Sequence, residues 1–518
     1  DGRLPQGGWI VFRYFGPPGT GKTTTLLNQV DALLSGGMSP QDIGYFAFTR
    51  KAAHEARDRA VARFNLDPEK DFLYFRTLHS LAFKALGMSS AAVLGESGLR
   101  DFGQRVGVDL MSSGAERVSD DGFSAPKANH PIMRAIDLAR NSMLGYRSAY
   151  NMVGLPIPFY EFDHLAKEYQ RFKQLNGLLD FTDMMVDMSN QPGCVPSLHT
   201  VFLDEAQDLT PLQWRVAHIL DEKSSRMFLA GDDDQGIYRW SGADPSRFVS
   251  LGGGSEVLSQ SYRIPRSVHR IAHSVVQRIH RRQKKVWLPR DEEGSVRRTF
   301  DAGEVPFGDN EWLVMAQANY MLDGLSDHLT SSGQYFERKG VSSLPKVVRD
   351  AIGSWNHILE DPRHEISLRE AINLYHHISS GPGRLKRGAK KLLSGSDEND
   401  LFTMSLLRER FGLESSPDWA WDEALDRITR KDRTYASALL NRGVNIFQKP
   451  RIKLSTIHGA KGGEADNVLL FMDLSGKALR DMENHPDDAH RVLYVGVTRA
   501  RQKLILKMAE DTARGWTI

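Results

Sequence analysis

The sequence predicts an α/β protein with two parallel β-sheets, and three observations support this fold class. Apolar segments of strand length alternate with helical segments in two separate parts of the 518-residue chain. A glycine-rich motif directly follows the first of these apolar segments. Two long helical stretches, at about 86–177 and 344–445, interrupt the two alternating regions. Alternating strands and helices favour parallel pairing, because each crossover between parallel strands usually runs through a helix.

The glycine-rich motif satisfies every position of G-x-x-x-x-G-K-[ST], with the residues Gly16-Pro17-Pro18-Gly19-Thr20-Gly21-Lys22-Thr23. A β-rich segment precedes it at 9–15, and the segment 24–30 can begin a helix. In this arrangement backbone N–H groups converge on phosphate oxygens, Lys22 reaches the β and γ phosphates, and Thr23 offers a hydroxyl to Mg²⁺. A chance match to a glycine-rich turn is disfavoured by the flanking strand and helix. The sequence therefore predicts a nucleoside triphosphate site.

A second apolar run, 199–203, ends in two adjacent carboxylates, Asp204 and Glu205. At the carboxyl end of a buried strand, Asp204 can hold Mg²⁺, and Glu205 can orient and deprotonate the water that attacks the γ-phosphate. The alternative, acidic residues at a helix N-terminus, is reasonable for Gln207 and Asp208. It is weak for Asp204 and Glu205 beside a complete phosphate-binding loop.

The next predicted strand, 226–230, leads into a loop with three acids, an amide and two aromatic residues. Gln235 could sense the γ-phosphate through its amide. Trp240 could offer a stacking face to a nucleic-acid base, with core packing as the alternative. Further strands are predicted at 43–48, 72–75, 311–316, 452–456, 468–472 and 504–507.

Composition limits the class of protein. Lys and Arg number 67 against 65 Asp and Glu, so a net charge of +2 does not by itself indicate nucleic-acid binding. The single cysteine excludes an intramolecular disulfide framework and Cys-rich metal sites. No apolar run is long enough to cross a membrane, and the N-terminus does not resemble a signal peptide. We expect a cytoplasmic, nucleoid-associated protein without a membrane partner.

Several segments resemble motifs of the UvrD/Rep/PcrA group of superfamily 1 DNA helicases, and they follow that family's order. FTRKAA at 48–53 resembles FTNKAA, TLH at 77–79 resembles TFH, and DEAQD stands at 204–208. GDDDQGIYRWSGA at 231–243 resembles GDDDQSIYGWRGA, and QSYR at 260–263 resembles QNYRS. LSTIHGAKGGE at 454–464 resembles LTLHSAKGLEF, and YVGVTRA stands at 494–500.

The resemblance implies two RecA-like P-loop NTPase motor domains, each with a mainly helical insertion and with ATP bound between them. The first motor domain would comprise 1–85 and 178–255, with the insertion 86–177. The second would comprise 256–343 and 446–518, with a reduced insertion at 344–445.

It also implies roles for individual residues. Arg263 and Arg499 would act as arginine fingers that complete a catalytic set with Lys22, Glu205 and Gln235. Tyr262 would stack on adenine and Glu464 would bond the ribose, while Thr24 stands where relatives often place an Arg near the adenine. The single-stranded DNA track would be lined by Phe48, Thr49, Arg50, Thr77, His79, Tyr238, Trp240, Thr456 and His458.

Two basic segments each allow two interpretations. The Gly381–Gly383 turn weakly resembles a turn that grips duplex phosphates at a helix N-terminus, and a solvated basic loop is an equal alternative. The run of Arg and Lys at 278–285 could bind phosphate, but a solvated helix end is favoured.

The resulting hypothesis is an ATP-dependent and Mg²⁺-dependent DNA helicase and single-stranded DNA translocase, with 3'-to-5' polarity. Its substrates would be single-stranded DNA and junctions between single-stranded and duplex DNA. A single-strand binding protein, a nuclease or a replication or repair factor could be a partner. Two alternatives stay open: a partner-dependent translocase with weak unwinding of its own, and a nucleotide-gated DNA-binding switch.

Overall fold

The computed structural model describes residues 10–47, 50–64, 66–68, 70–110, 130–308 and 310–518. These residues form two compact units. The first unit contains residues up to 295 together with 476–502, and the second contains 296–475 and 503–517. Within the described ranges, none of the helices combines the length and hydropathy that a membrane crossing requires.

The first sheet has six strands within the described residues, and these strands pair in parallel. Its strands are β1 (Ile10–Phe15), β2 (Ile43–Phe46), β3 (Phe75–Arg76), β4 (Leu198–Leu203), β5 (Ser224–Gly231) and β6 (Gly254–Val257). Their order across the sheet is β3-β2-β4-β5-β1-β6. This order places the carboxyl ends of β1, β4 and β5, and the loops that follow them, at one edge of the sheet.

Both faces of the first sheet are covered, which explains why its strands are apolar without alternation. In β4, Phe202 packs into the core on one face, whereas Val201 and Leu203 pack into the core on the other. The predicted strand at 72–75 is displaced, because Phe72 lies outside β3 and packs edge-on against Phe75, with ring centroids 4.8 Å apart. Phe72 therefore contributes to core packing, whereas Phe75 pairs with Tyr45 of β2.

Helices flank and interrupt this sheet. They are α1 (Lys22–Ser35), α2 (Arg50–Phe64), α3 (Leu78–Ala85), α4 (Glu96–Val106), α5 (Pro131–Asn141), α6 (Tyr146–Val153), α7 (Phe159–Asn176), α8 (Phe181–Asn190), α9 (Pro211–Glu222), α10 (Pro245–Ser250) and α11 (Arg266–Val276). Helices α4 to α7 lie within the predicted insertion 86–177 and share a separate core that includes Phe102, Phe162 and Tyr169.

The second sheet has seven strands within the described residues, in the order β10-β9-β13-β8-β14-β15-β7. They are β7 (Ser295–Thr299), β8 (Trp312–Ala316), β9 (Phe336–Arg338), β10 (Val341–Ser342), β13 (Ile452–Thr456), β14 (Ala465–Phe471) and β15 (Ala500–Lys507). The central strand β8 pairs in parallel with both β13 and β14. The α/β fold class with parallel sheets is thus confirmed.

The second helical stretch has its own core around the fully buried Trp355. A short antiparallel pair also lies there, formed by β11 (Ile366–Ser367) and β12 (Leu401–Phe402). The remaining helices are α12 (Asp323–Ser331), α13 (Lys346–Glu360), α14 (Leu368–His376), α15 (Ala389–Leu393), α16 (Met404–Glu409), α17 (Trp421–Ala424), α18 (Arg430–Asn441), α19 (Gly476–Asn484) and α20 (Pro486–Val497).

Candidate active site

The glycine-rich loop connects β1 to α1, as the motif predicts. Gly16 N–H donates to Gly231 O at 2.9 Å, which ties the loop to the end of β5. Lys22 Nζ donates to Gly16 O at 2.9 Å. A Cβ at Gly16 would lie 2.2 Å from Lys22 Cγ, so only glycine allows this close approach. The loop therefore brings the lysine amine back over its own backbone, at the N-terminus of α1.

A second segment, 261–263, lies directly against this loop. Ser261 Oγ donates to Pro18 O at 2.7 Å, and Tyr262 N–H donates to Gly19 O at 2.8 Å. Gly19 has a φ of 73°, and a Cβ on it would lie 2.3 Å from Arg263 Cβ. The structure thus brings Arg263 to the phosphate-binding loop. The Tyr262 side chain is 73% exposed beside it.

Asp204 and Thr23 meet at the end of β4. Thr23 Oγ1 donates to Asp204 Oδ2 at 2.6 Å, and Tyr45 OH donates to the same oxygen at 3.1 Å. Burial, together with the neighbouring Glu205 carboxylate, raises the pKa of Asp204 to about 6. Thr23 and Asp204 therefore present adjacent oxygen atoms, the ligand type that Mg²⁺ prefers.

Glu205 has a left-handed backbone with a φ of 55°, which is uncommon for a residue with a side chain. Its carboxylate accepts a hydrogen bond from Gln207 Nε2. The same amide donates to Asp208 Oδ2 at 3.1 Å, and its oxygen accepts from Asp232 N–H at 2.9 Å. Gln207 is fully buried and links the ends of β4 and β5 through these bonds.

Gln207 and Asp208 lie in a one-turn 3₁₀ helix, Ala206–Asp208, so the helix start suggested for these two residues by the sequence is not contradicted. Helix α9 begins only at Pro211, where a reciprocal pair of hydrogen bonds between Thr210 and Gln213 caps it. Sequence reasoning missed Gln207 as a residue that positions Glu205. Its place between two carboxylates, inside the motif at 204–208, was the one available signal.

Gln235 and Arg499 are hydrogen-bonded to each other. Arg499 Nη2 donates to Gln235 Oε1 at 2.7 Å, while Gln235 Nε2 donates to Asp232 Oδ2 at 2.7 Å. Arg499 Nε also donates to Val495 O at 2.9 Å, and the residue is only 2% exposed. These contacts bring the predicted arginine finger, which lies between α20 and β15, against the predicted sensor in the loop that follows β5.

The basic run at 278–285 is not a solvated helix end, so that prediction is wrong for two of its residues. Helix α11 ends at Val276, before the run begins. Arg282 Nε donates to Asp234 Oδ1 at 2.7 Å. The Lys285 side chain is completely buried and forms ion pairs with Asp232, Asp233 and Asp234. These two cations turn toward an acidic loop that lies about 50 residues earlier in the sequence.

The predicted DNA-track residues of the first unit have different environments. Trp240 is 51% exposed, and its ring meets that of Tyr238 edge-on at 6.2 Å, so core packing does not describe it. Thr77 is buried, and its hydroxyl caps α3 by accepting from Ser80 N–H at 3.2 Å. The His79 ring lies 5.9 Å from that of Phe181. Phe48 and Thr49 lie outside the described residues, and Arg50 begins α2.

The remaining predicted site residues, Thr456, His458 and Glu464, belong to the second unit. Thr456 ends β13 and accepts a hydrogen bond from Gly459 N–H at 3.1 Å. His458 is half-buried, and Glu464 is exposed immediately before β14.

The Gly381–Gly383 turn does not lie at a helix N-terminus, because the next helix, α15, begins only at Ala389. Its amides already have acceptors: Gly381 N–H donates to Leu385 O at 2.9 Å and Gly383 N–H to Glu414 Oε2 at 3.1 Å. The predicted phosphate grip would therefore place an anion beside a carboxylate.

Comparison with known proteins decides the family. Residues 15–253 match the UvrD/REP helicase N-terminal domain, and residues 452–507 match the UvrD-like helicase C-terminal domain. The chain belongs to the UvrD/Rep helicase family. The two matched regions contain the glycine-rich loop, Asp204, Glu205, Gln235 and Arg499.

Individual UvrD/Rep relatives are distant. A probable DNA helicase of Mycoplasma pneumoniae is 27% identical over 298 residues, which are 52% of this chain and 53% of that protein. ATP-dependent DNA helicase PcrA of Bacillus subtilis is 24% identical over 403 residues, 69% of this chain and 52% of PcrA. A probable DNA helicase II homolog of Mycoplasma genitalium is 23% identical over 592 aligned residues, 94% of this chain and 81% of that protein. The match to the first two relatives thus spans about half of their length.

Proposed function

We propose that this protein is an ATP-dependent DNA helicase and single-stranded DNA translocase that moves 3'-to-5'. The observation that carries the proposal is the convergence of Lys22, Glu205, Gln235, Arg263 and Arg499 around one edge of the first sheet. A binding switch has no use for such a complete hydrolytic set. Membership of the UvrD/Rep family and the names of its relatives support DNA as the substrate.

In this proposal the glycine-rich loop, from Gly16 to Thr24, cradles the triphosphate, and Lys22 contacts its β and γ phosphates. Thr23 and Asp204 would hold Mg²⁺, and their oxygens already lie 2.6 Å apart. When bound there, Mg²⁺ neutralises charge that develops on the phosphates. Tyr262 would stack on the adenine with its exposed ring, and Glu464 would bond the ribose.

Hydrolysis would depend on charges that this chain itself provides. Glu205 would deprotonate and orient the attacking water, and Gln207 holds its carboxylate in place. Arg263 and Arg499 would stabilise the negative charge that spreads over the γ-phosphate in the transition state. Gln235 would contact the γ-phosphate and couple its presence to Arg499, because Arg499 donates a hydrogen bond to the Gln235 amide oxygen.

Bases of single-stranded DNA would stack on Trp240. The strand would also contact the other predicted track residues, which are Phe48, Thr49, Arg50, Thr77, His79, Tyr238, Thr456 and His458. The domain bounds predicted from the sequence, with motor domains 1–85 plus 178–255 and 256–343 plus 446–518, remain part of this proposal. So does an association with the nucleoid in the cytoplasm.

Strand displacement tests the proposed function directly. Two partial duplexes, one with a 3' single-stranded tail and one with a 5' tail, are incubated with ATP and Mg²⁺ while ATP hydrolysis is followed. We expect displacement from the 3' tail and not from the 5' tail. Glu205→Gln should abolish hydrolysis while ATP and DNA still bind, because the substitution removes the base and keeps the size of the side chain. Displacement from the 5' tail alone would refute the polarity, and full hydrolysis by Glu205→Gln would refute the base.

A partner-dependent translocase is the second candidate, and the Gly381–Gly383 turn favours it. Because Glu414 occupies the Gly383 amide, this turn offers a poor contact for duplex phosphates. Such a protein would show DNA-stimulated hydrolysis without strand displacement. Adding a single-strand binding protein or a partner nuclease would then restore unwinding, whereas a self-sufficient helicase would need neither.

A further inference from the structure

The three consecutive carboxylates after β5 surround a buried ammonium group. Lys285 Nζ lies 2.8 Å from Asp232 Oδ1 and 2.8 Å from Asp234 Oδ2, and it also bonds Asp233. The side chains of Lys285, Asp232 and Asp234 are all 0% exposed. Arg282 adds a second cation on Asp234, and Gln283 N–H donates to Asp233 Oδ2 at 2.8 Å.

Carboxylate oxygens of the three Asp residues lie within 4.8 Å of one another, which is a spacing that could suit a metal ion. The Lys285 ammonium already lies among these oxygens, so the chain supplies the positive charge itself. A buried ion cluster of this kind is weak evidence for stability, because desolvation offsets much of the Coulomb attraction. Its effect is to fix the positions of side chains that would otherwise repel one another.

Asp232 connects this cluster to the candidate active site. One of its carboxylate oxygens accepts from Lys285, and the other accepts from Gln235 Nε2 at 2.7 Å. Because the nitrogen of the Gln235 amide faces Asp232, its oxygen must face the opposite way, where it accepts from Arg499 Nη2. A continuous chain of hydrogen bonds therefore runs from Lys285 through Asp232 and Gln235 to Arg499.

We propose that Lys285 is a positioning residue for ATP hydrolysis, which fixes the Arg499 guanidinium through Asp232 and Gln235. The inference rests on the proposed function. Without Lys285, three adjacent carboxylates lose their shared cation, and Asp232 moves away from its neighbours. The Gln235 amide then loses its fixed orientation, and the Arg499 guanidinium loses one of the acceptors that align it. Loss of an interaction that is needed chiefly in the transition state lowers kcat more than it changes KM.

The kinetic test compares Lys285→Met with Lys284→Met, in the full chain with single-stranded DNA and Mg²⁺. Lys284 is the exposed neighbour on the same segment and receives the same substitution. We expect Lys285→Met to lower kcat for ATP hydrolysis at least tenfold with KM within about twofold of wild type. Lys284→Met should stay within about twofold in both constants. A folded Lys285→Met protein with wild-type kcat would overturn the proposal.

Removing a buried cation can also unfold the chain, so a second variant accompanies the first. Asp232→Asn keeps the shape of the side chain and leaves Lys285 with Asp233 and Asp234. It interrupts the same hydrogen-bond chain at its middle, and we expect a similar fall in kcat. Wild-type kcat in Asp232→Asn would overturn the proposal even if Lys285→Met does not fold.

A double-mutant cycle separates failure of this inference from failure of the proposed function. Denaturant unfolding midpoints are measured for Asp232→Asn, Gln235→Leu and Arg499→Lys, alone and in pairs, at equal m-values. If two residues are coupled, the midpoint shift of the double variant differs from the sum of the two single shifts. Additive shifts would contradict the proposed chain of hydrogen bonds. If wild-type protein hydrolyses no ATP, the proposed function fails. In that case additive shifts would also overturn the proposed hydrogen-bonded connection between Asp232, Gln235 and Arg499, whereas non-additive shifts would support this connection.

Discussion

Gln207 holds the Glu205 carboxylate by a hydrogen bond from its side-chain amide. The amide is fully buried, and its oxygen accepts from the backbone of Asp232 at the end of the neighbouring strand. The orientation of the Glu205 carboxylate is therefore set by Gln207. The Glu205 backbone itself adopts an uncommon left-handed conformation. The geometry of the proposed general base depends on a neighbour two residues away.

Gln207→Leu should accordingly lower kcat for ATP hydrolysis by about tenfold or more, with a smaller effect on KM. The substitution also leaves the buried Asp232 N–H without its acceptor, which costs about 1 to 3 kcal/mol of unfolding free energy. Steady-state kinetics and denaturant unfolding would measure the two effects. Gln213→Leu is the matched control, because this buried glutamine bonds the backbone of Thr210 at the start of α9. It should lose stability and keep kcat; equal kinetic losses in both variants would contradict a positioning role.

The parts of this protein that the sequence predicted well depend on local patterns. The glycine-rich loop, the strand before Asp204 and the strand before Asp232 follow from spacing and from runs of apolar residues. The resemblance to the UvrD/Rep/PcrA group and the α/β fold class are both confirmed. The roles of the individual site residues stay predictions.

The parts that the sequence did not predict depend on contacts between distant segments. Lys285 lies 52 residues from Asp233 along the chain, so no local pattern distinguishes it from the exposed Lys284. Charge alone suggested a solvated run for both residues. Thr77 is similar: the hydrogen bond by which its hydroxyl caps α3 is not indicated by its motif, and its contact with DNA stays a prediction.

Gly19→Ala should weaken nucleotide binding, because two separate penalties act at this position. A non-glycine residue at a φ of 73° costs about 1 kcal/mol, and its Cβ would also lie 2.3 Å from Arg263 Cβ. We expect at least a tenfold loss of ATP affinity, measured with a fluorescent ATP analogue. Gly37→Ala isolates the backbone penalty, since Gly37 has a φ of 86° and no atom within 4 Å of its Cβ position. Denaturant unfolding of both variants compares the two losses of stability, and equal losses together with wild-type ATP affinity in Gly19→Ala would show that the contact with Arg263 is unimportant.

Trp240→Ala should weaken binding of single-stranded DNA. The indole is 51% exposed beside Tyr238, and stacking of a base on an aromatic ring contributes about 1 to 3 kcal/mol. Fluorescence anisotropy of a labelled oligonucleotide at fixed ionic strength would measure the change, which we expect to be about tenfold or more in Kd. Tyr160→Ala removes another exposed aromatic ring, 76% exposed on α7, and should leave Kd unchanged. Unaltered binding by Trp240→Ala would remove this residue from the DNA track.

Lys173→Met should destabilise the junction between α7 and α8. Lys173 is 2% exposed and forms ion pairs with Asp180 and Asp183, which Arg140 also contacts. Removing one partner of a buried ion pair leaves uncompensated charge, and we expect a loss of about 3 kcal/mol in denaturant unfolding at pH 7. Lys167→Met, on the same helix, removes a lysine whose side chain is 70% exposed and should cost less than about 1 kcal/mol.

The difference in unfolding free energy between wild type and Lys173→Met should also depend on pH. Burial alone would raise the pKa of Asp180, but Arg140 and Lys173 outweigh it and hold the pKa below its ordinary value. A carboxyl group with a lowered pKa in the folded state stabilises the fold above its unfolded pKa, near 4, and loses that contribution as the pH falls. The stability gap between wild type and Lys173→Met should therefore narrow as the pH falls below about 4. A gap that stays constant down to pH 3 would mean that Lys173 acts through packing rather than through its charge.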